Sequence, residues 1–311
     1  HEKSGAIGGN CRTIIDGDFR YDTGAHRLHD KIDTVTTEIK SLLGSDLKRV
    51  SAPSKIHFNS TMIDFPLRFP NIFFQLKPSL IAKIIIENIF NRLKPNVDIN
   101  SFKDFAYQKY GKTLSELFLI SYTEKLWGEN TERLDPVISG GRFKHLDVRS
   151  LINSFMNDSK NKPKHLEGSF YYPRLGFGSI FDRIGEYIGN ENIHLNSSVQ
   201  IINHEKNKVK SVVLENGDII KVKNLISTMP INILVKSLEP QPPNEILTFL
   251  ESIRFRTIKL CILYLSIDQF TENASIYFPD ISCPFNRIYE PKNRSADMAP
   301  DGKTSIVIEV P

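Results

Sequence analysis

The sequence predicts an α/β fold in which mixed sheets are interrupted by a layer of helices. Residues 30–43 repeat apolar side chains at helical spacing, residues 71–157 contain several helical stretches, and short β runs follow from residue 191 onward. The chain has 311 residues, of which 40% are hydrophobic, and this is enough to bury the core of one large domain or two ordinary ones. We therefore expect a globular protein.

Charge and cysteine content argue against several classes of protein. Lys and Arg number 40 against 36 Asp and Glu, for a formal net charge of +4, and no stretch concentrates basic residues, so a nucleic acid is not an expected partner. Cys11, Cys261 and Cys283 fit no metal-binding spacing and leave an odd number for any disulfide scheme. We expect a reducing, cytoplasmic compartment and no structural metal.

The most apolar stretch, NIFFQLKPSLIAKIIIENIFNRLK, contains too many interruptions to cross a bilayer. Lys77, Lys83 and Glu87 all fall within it. Its helical part, residues 78–93, is best explained as a face packed against a protein core. Contact with a lipid-like or tetrapyrrole substrate, or peripheral association with a membrane surface, is left open as an alternative.

Apolar spacing and turn residues predict the elements of the first half. Apolar residues from Ile32 to Leu43 recur at intervals of three and four, which indicates a helix buried on one face. Residues 46–68 show short strand patterns that are split by Pro53 and by the turn at Asn59–Ser60.

Helix caps divide the stretch that follows. Pro78 suits the start of one helix, and Ser101 and Thr113 are the predicted caps of two more. The polar stretch DSKNKPKHLEGS after these helices is predicted to be a solvated loop.

The second half changes to β structure. A compact amphipathic helix ends at Gly189, and Asn216–Gly217 marks the turn of a hairpin because it tolerates positive φ. The apolar run from residue 254 predicts a buried strand, and ASIYF, FNRIYE and TSIVIEV predict further strands. A second sheet therefore completes the expected fold.

An acidic residue followed by paired glycines opens the chain. Glu2 can accept hydrogen bonds from a ribose diol, and Gly8 and Gly9 lack side chains that would keep backbone N–H groups away from a pyrophosphate. Arg12 is either a cation near that pyrophosphate or a surface arginine, and the residues alone do not decide between the two. The pattern predicts part of a dinucleotide site.

Several motifs, in order, resemble one family. The stretch EKSGAIGGNCRTIIDGDFRYDTGAHRLH is similar to the second nucleotide-binding motif of the FAD-dependent amine oxidase superfamily. The likeness continues in YTEKLWG, FYYPRLGFGSI, SSVQII and LISTMPI, and so spans essentially the whole chain. Among its members, GAHRLH and YTEKLWG resemble segments of both the protoporphyrinogen-oxidase-like flavoproteins and UDP-galactopyranose mutase, and the motifs do not separate the two groups.

The resemblance implies FAD as the cofactor and a set of residues around it. Gly24, Ala25 and His26 are expected beside the isoalloxazine ring, and the backbone of Val199 beside the adenine. The full implied FAD set is Glu2, Lys3, Gly8, Gly9, Arg12, Gly24, Ala25, His26, Arg27, Val199 and Thr228. No catalytic residue is assigned.

The same resemblance places three aromatic residues, Tyr122, Trp127 and Tyr172, at a substrate cavity. Lys125, in the same motif as Trp127, is either a neighbour of that cavity or a solvated helix residue. Tyr171, Tyr172 and Arg174 precede Gly176 and Gly178, where the backbone either approaches the flavin or simply continues an aromatic strand edge.

The fold implied is a Rossmann-like FAD-binding domain, incomplete, with an inserted substrate domain of mixed sheet and helices. We expect residues 1–50 and 168–240 to form the first and residues 51–167 and 241–311 the second. The glycine fingerprint that normally precedes the ribose-binding acid by roughly 20 residues is not in this sequence. We therefore expect this stretch to lack a first strand and a final helix, to hold FAD weakly and to be inactive alone.

Three functions remain open at this point. The leading one is an FAD-dependent oxidoreductase that accepts a hydride from a small organic molecule. The alternative is an isomerase resembling UDP-galactopyranose mutase, with Arg287, Tyr289 and Arg294 either binding a diphosphate or lying at the surface of strands. The third is a non-enzymatic protein that binds a nucleotide or a partner. The oligomeric state is not predicted.

Overall fold

The structure is a computed structural model that describes residues 1–65, 76–93, 98–139 and 169–311. The chain divides into two compact units, of which the first is His1–Arg12 with Gly178–Phe255 and the second Thr13–Phe177 with Arg256–Pro311. The predicted solvated loop lies outside the described residues, as does the predicted helical stretch beyond residue 139. The assignment of a flavin-binding and a substrate domain stays a prediction.

The elements make a mixed α/β fold, as the sequence predicts. The strands are β1 Thr13–Asp16, β2 Phe19–Asp22, β3 Leu47–Ser51, β4 Ser54–Phe58, β5 Thr61–Phe65, β6 Ser169–Pro173, β7 Val199–Glu205, β8 Lys208–Leu214, β9 Ile219–Lys221, β10 Leu238–Glu239, β11 Lys259–Leu265, β12 Ser275–Tyr277, β13 Arg287–Tyr289 and β14 Thr304–Val310. The α-helices are α1 Asp33–Leu43, α2 Pro78–Leu93, α3 Phe102–Tyr110, α4 Lys112–Ser115, α5 Ser121–Trp127, α6 Ser179–Ile188, α7 Ile231–Lys236 and α8 Asn244–Ser252. A π-helical turn, Glu116–Ile120, joins α4 to α5.

Local sequence signals predicted many of these elements correctly. Helix α1 and the strands β3, β4 and β5 are confirmed, with their breaks at the expected turns. The expected apolar face of α1 is buried only in part, since Ile32 and Val35 are exposed and Leu43 is buried. Ser101 caps α3, since its Oγ accepts a hydrogen bond from the backbone N–H of Asp104 at 3.1 Å. The hairpin between β8 and β9 is confirmed, and Gly217 takes a φ of +90° in its turn.

Two local expectations are wrong. Thr113 is not a cap, because the helix begins one residue earlier, after Gly111 with its φ of +83°, and the Thr113 hydroxyl donates to Glu87 Oε1 at 2.6 Å instead. The apolar strand β11 is not buried, because it lies at the edge of its sheet and all seven of its residues are exposed or half-buried. Apolar content predicted the strand but not its position in the sheet.

The second unit is built on a six-stranded sheet with the order β11-β14-β13-β12-β4-β5. Strand β12 pairs in parallel with β4, and the other neighbours are antiparallel. Helices α2 to α5 cover part of it, and their shared core consists largely of Ile56, Ile63, Phe102, Tyr110 and Leu119. Strand β14 therefore belongs to the same sheet as β4 and β5, although about 240 residues separate them in the sequence.

The first unit is built on a four-stranded sheet with the order β10-β7-β8-β9, in which β10 is parallel to β7. Helix α6 packs closely on the N-terminal segment of the chain. A Cβ atom at Gly185 of this helix would lie 2.9 Å from Ile7 Cδ1 and 3.2 Å from Ile193 Cδ1. The lack of a side chain at Gly185 thus allows the glycine-rich N-terminal turn to lie against the helix.

Within the described part of the chain, no helix combines the length and the apolar content that a bilayer span requires. Cys11, Cys261 and Cys283 form no disulfide with one another. Across residues 1–65, 76–93, 98–139 and 169–311, His, Cys, Asp and Glu form no group of three that would ligate a metal ion.

We predict that Gly176→Ala destabilises the protein by about 2–4 kcal/mol. Gly176 has a φ of +103°, and an added Cβ would lie 2.3 Å from Thr13 Oγ1. Thr13 cannot turn away freely, because its hydroxyl donates to Asp22 Oδ1 at 2.6 Å. The free energy of unfolding from urea titration measures the loss.

Gly302→Ala is the matched control for this substitution. Gly302 has a φ of +69° but faces open space, so its replacement carries the backbone cost of about 1 kcal/mol alone. Equal losses in the two variants would contradict the steric argument.

Candidate functional site

In the first unit, Glu2 is anchored by its backbone. Its N–H donates to the carbonyl of His194 at 2.8 Å, and its carbonyl accepts from the N–H of Ser197 at 2.8 Å. The carboxylate Oε1 accepts from the N–H of Ser4 at 2.8 Å and from the Ser4 hydroxyl at 2.9 Å. No described residue donates to Oε2, which leaves that oxygen for a ligand.

The electrostatics of Glu2 favour a charged acceptor. The backbone hydrogen bond from Ser4 lowers the pKa of the carboxyl group below its ordinary value, and the Ser4 hydroxyl and the guanidinium of Arg12 lower that pKa further. Glu2 is therefore ionised at neutral pH. Arg12 is half-buried, and whether it lies near a pyrophosphate or is a surface arginine stays a prediction.

The paired glycines, Gly8 and Gly9, both have a positive φ but differ in what surrounds them. Gly8 has a φ of +96°, and a Cβ there would lie 3.2 Å from Arg12 Cγ and 3.4 Å from Phe181 Cγ. Gly9 has a φ of +51°, and nothing lies within 4 Å of the position of its absent Cβ. The turn therefore leaves the Gly9 backbone open to a close approach by an anionic group.

The remaining predicted residues of the first unit are spread along it. Lys3 is exposed. Val199 is the half-buried first residue of β7 and pairs with Leu214. Thr228 is exposed in the loop that precedes α7. Their roles toward an adenine nucleotide stay predictions.

In the second unit, a buried carboxylate holds the segment that leads to residues 24–27. Asp22 is 1% exposed, and its Oδ1 accepts from Thr13 Oγ1 at 2.6 Å and from the N–H of Phe177 at 3.0 Å. Its Oδ2 accepts from the Tyr172 hydroxyl at 2.5 Å, and its carbonyl accepts from the Tyr289 hydroxyl at 2.8 Å. Sequence reasoning missed Asp22, because an acid at the end of a short strand resembles any turn residue.

His26 lies on this fixed segment in a half-buried position. Its ring stacks on Phe177 at 5.2 Å between centroids, and burial lowers the pKa of the imidazole, so the ring is neutral at pH 7. Within the described part of the chain, no group bonds to its buried Nδ1. A Cβ at Gly24 would lie 3.3 Å from His26 Cε1, so the glycine lets the ring fold back over the loop.

Ala25 and Arg27, on either side of His26, contact the six-stranded sheet. The N–H of Ala25 donates to Glu309 Oε1 at 3.1 Å. Arg27 Nη2 donates to Ser54 Oγ at 3.0 Å and to Ser275 Oγ at 2.9 Å. The segment 24–27 is thus held against one face of the sheet.

On that face, one row of side chains crosses three strands. Glu309 of β14 is in register with Arg287 of β13, and Arg287 is in register with Tyr277 of β12. Arg287 makes a two-pronged bond to Glu309, with Nε to Oε2 at 2.8 Å and Nη2 to Oε1 at 2.7 Å. The Tyr277 ring lies 5.7 Å from the Arg287 guanidinium carbon and 6.0 Å from the Tyr122 ring.

The residues considered for a diphosphate are engaged inside the protein. Tyr289 and Arg294 are 2% and 3% exposed, so the interpretation as surface strand residues is wrong for both. Arg294 lies over the Tyr289 ring at 4.3 Å, and its Nη1 donates to the His26 carbonyl at 3.3 Å. Arg287 is occupied by Glu309, as described above.

The predicted cavity residues occupy different environments. Tyr122 is half-buried, Trp127 is 44% exposed at the end of α5, and Tyr172 is 1% exposed with its hydroxyl on Asp22. Whether they line a substrate cavity stays a prediction.

Lys125 is not a solvated helix residue. Its Nζ donates to the carbonyls of Phe278, Asp280 and Cys283 at 2.7, 2.7 and 3.0 Å, and burial lowers its pKa. The side chain ties helix α5 to the loop after β12.

Tyr171 and Arg174, which flank Tyr172, also make structural contacts. The backbone of Tyr171 exchanges hydrogen bonds with Leu28 at 2.9 and 3.1 Å. Arg174 pairs with Asp46 and Asp297.

We predict that Tyr172→Phe lowers the free energy of unfolding by about 2–3 kcal/mol, because the buried Asp22 carboxylate loses a donor that it cannot replace with water. Tyr264→Phe is the control. The Tyr264 hydroxyl donates to Asp16 Oδ2 at the same 2.5 Å, but Tyr264 is 42% exposed, so its loss costs below about 1 kcal/mol. Urea unfolding of both variants tests this, and similar losses would contradict the role of burial.

Known structures share this fold. A crystal structure of reduced UDP-galactopyranose mutase is 18% identical with a TM-score of 0.87, and the match covers 99% of this chain and 68% of that one. A protein described as protoporphyrinogen oxidase-like, from Exiguobacterium sp. 255-15, is 15% identical with a TM-score of 0.70 and coverages of 99% and 70%. Putrescine oxidase bound to putrescine is 13% identical with a TM-score of 0.63 and coverages of 99% and 69%.

At these identities the three structures establish the fold alone, and they agree with the predicted α/β fold and family resemblance. A family model described as flavin containing amine oxidoreductase matches residues 1–271, which is most of the chain. The protein therefore belongs to the flavin-containing amine oxidoreductase family, whose cofactor is FAD.

Proposed function

We propose that this protein is an FAD-dependent oxidoreductase that accepts a hydride from a small organic substrate. The observation that carries the proposal is His26, a half-buried and neutral imidazole whose buried Nδ1 has no partner among the described residues. A buried polar atom without a hydrogen bond is costly, and a ligand atom that completes it removes that cost. The family resemblance implies that this loop lies beside the isoalloxazine ring, which supports the proposal.

The residues present in each unit fit FAD. In the first unit, Glu2 Oε2 would accept from a ribose hydroxyl, and the open Gly9 backbone would approach the pyrophosphate. In the second unit, His26 would contact the flavin ring through Nδ1. FAD, when bound, would supply the acceptor for a hydride from a C–H or C–N centre.

In the proposed reaction, the protein would orient the His26 ring and hold a proton on one of its nitrogens. Phe177 stacks on the imidazole and Asp22 fixes the Phe177 N–H, so the ring is held in one orientation. A neutral imidazole carries one N–H donor and one acceptor, and its lowered pKa keeps it in that state at neutral pH. His26 can thus hold a proton at one ring nitrogen and accept a hydrogen bond at the other.

An isomerase resembling UDP-galactopyranose mutase is the second candidate. The likeness in fold to that mutase, with its TM-score of 0.87, favours it. The internal partners of Arg287, Tyr289 and Arg294 weigh against it, because these groups would have to leave their partners to bind a diphosphate. We therefore rank it below the oxidoreductase. A protein that binds the nucleotide without catalysis ranks third.

We predict that Glu2→Gln weakens FAD binding about five- to thirtyfold, which is the cost of about 1–2 kcal/mol for one lost hydrogen bond to a charged acceptor. The amide keeps an oxygen for Ser4 and replaces Oε2 with a donor. Quenching of flavin fluorescence on titration of the protein into FAD measures the affinity.

The control for this titration is Glu251→Gln, which removes one exposed acid from the same unit. FAD affinity unchanged by Glu2→Gln, or reduced equally by both substitutions, would contradict the ribose assignment.

We predict that the FAD-loaded protein loses its visible flavin absorbance when it is mixed anaerobically with its substrate, because an oxidoreductase stores the hydride on the cofactor. Turnover of UDP-galactopyranose by the dithionite-reduced protein, with no net change in flavin absorbance, would support the isomerase instead. Neither response across a panel of amines, acids and UDP-sugars would favour the non-catalytic alternative.

A further inference from the structure

We propose that this chain pairs with a second copy of itself through strand β11, which lies antiparallel to β11 of the other copy across a two-fold axis. The six-stranded sheets of the two copies then join into one continuous sheet. The proposal rests on residues 256–268 of the second unit and not on a cofactor, and it therefore goes beyond the proposed function.

Strand β11 is an edge strand with unpaired backbone groups. Within the described part of the chain its one sheet neighbour is β14, with which it pairs from Lys259 to Leu265. Alternate residues of an antiparallel strand direct their backbone N–H and C=O groups to opposite sides, so every second residue of β11 points these groups away from β14. No hydrogen bond joins these outward groups to another described residue.

This edge lacks the features that usually prevent pairing with another chain. Natural sheets protect their edges with charged residues, proline or β-bulges. In β11 the one charged residue, Lys259, stands at the first position, and the register with β14 runs to Leu265 without a bulge. The opposite edge of the sheet, β5, carries Asp64, which pairs with Lys55. Of these two edges, β11 is therefore the better template for a further strand.

The side chains of β11 complement themselves when the strand pairs antiparallel about Ile262. In this register Cys261 lies opposite Leu263 of the second copy, and Leu260 lies opposite Tyr264. Cys261 is exposed, as are Leu263 at 44% and Tyr264 at 42%. The pairing therefore covers apolar surface that a single copy leaves in water.

The strand is held in place before it pairs. The Tyr264 hydroxyl donates to Asp16 Oδ2 at 2.5 Å, and the Tyr264 ring lies 4.4 Å from the Phe19 ring between centroids. These contacts and the ladder to β14 fix the backbone of β11, so little conformational entropy is lost when a second copy binds.

Charges beyond the two ends of β11 select an antiparallel partner. Arg256 precedes the strand and Asp268 follows it, and both are exposed, the Asp268 side chain at 76%. Pairing about Ile262 brings Arg256 of each copy toward Asp268 of the other, because the two residues lie equally far from Ile262 in the sequence. A parallel partner would place like charges side by side. Lys292 donates to Asp268 Oδ1 at 2.7 Å and so orients the carboxylate without burying it.

The proposed pairing closes on itself. A two-fold contact uses the same edge of both copies, so no third copy adds at β11. Pairing of β11 with β5 of the next copy would instead repeat without end and produce filaments. A contact centred on one strand is small, and we expect a dimer that dissociates on dilution, with a dissociation constant of about 1–100 μM.

Sedimentation equilibrium of the full chain, from about 1 to 300 μM, tests this with a reversible monomer–dimer equilibrium as the expected result. Leu263→Lys should weaken the dimer at least about tenfold, because it places a charge from each copy at the centre of the pairing. Leu93→Lys is the matched control, the same change at a position that is 76% exposed and outside β11. It should leave the equilibrium unchanged.

Three results of this measurement would overturn the proposal. A chain that stays monomeric would leave the edge to a strand of another protein, and filaments would indicate pairing between β11 and β5. A dimer that Leu263→Lys does not weaken, or that Leu93→Lys weakens equally, would place the contact elsewhere.

Cys261 reports the register without any substitution of β11. In the proposed pairing the two copies of Cys261 lie on a diagonal, about 7–8 Å apart. A bismaleimide with a spacer of about 8 Å should therefore yield a covalent dimer. Cys261→Ser should abolish this dimer and Cys283→Ser should not. A covalent dimer that depends on Cys283, or none under conditions where sedimentation shows a dimer, would contradict pairing through β11.

Reversal of the flanking charges tests the antiparallel arrangement. Arg256→Glu and Asp268→Arg should each weaken the dimer about three- to tenfold, and the double variant should restore much of the affinity. Strand β11 separates the two positions by about 20 Å within one copy, so the rescue can arise only between copies. Single variants without effect, or a double variant that dimerises no better than either single variant, would overturn the antiparallel register.

Discussion

The carboxylate of Asp22 is the interaction on which the second unit's functional loop depends. It receives hydrogen bonds from Thr13, Phe177 and Tyr172, while the carbonyl of the same residue receives one from Tyr289. Its charge is dispersed over donors that are themselves held by strands, and it has no need of a lysine or arginine partner. Residues 24–27 follow directly, so a buried residue with several hydrogen bonds fixes the chain where this loop begins.

In the same region, two arginines on one face of the sheet have different hydrogen-bond partners. Where an arginine is paired, as Arg287 is with Glu309, it contributes to structure and has little left to offer a ligand. Arg27, by contrast, bonds to the neutral hydroxyls of Ser54 and Ser275. Residue type therefore says less about binding than the charges that surround a residue once the sheet has formed.

Glycine determines how closely the backbone segments approach. Gly185 lets the N-terminal segment lie against α6 in the first unit, and Gly176 leaves room for the Thr13 side chain in the second. Gly9 has no neighbour to accommodate, which is why it remains accessible to a ligand while Gly8 is enclosed by Arg12 and Phe181. The two glycines thus differ in their surroundings, although they are neighbours in the sequence.

The sequence by itself determined the α/β class, the helices that carry clear caps and apolar spacing, the family and its cofactor. These depend on short-range patterns, because a cap such as Ser101 or a hairpin turn such as that of Gly217 involves residues only a few positions apart. Only the tertiary structure decided which polar residues are buried and which residues they bond to. Asp22 meets Tyr172 across 150 positions and Ala25 meets Glu309 across 284, and no local pattern records a partner at such a distance.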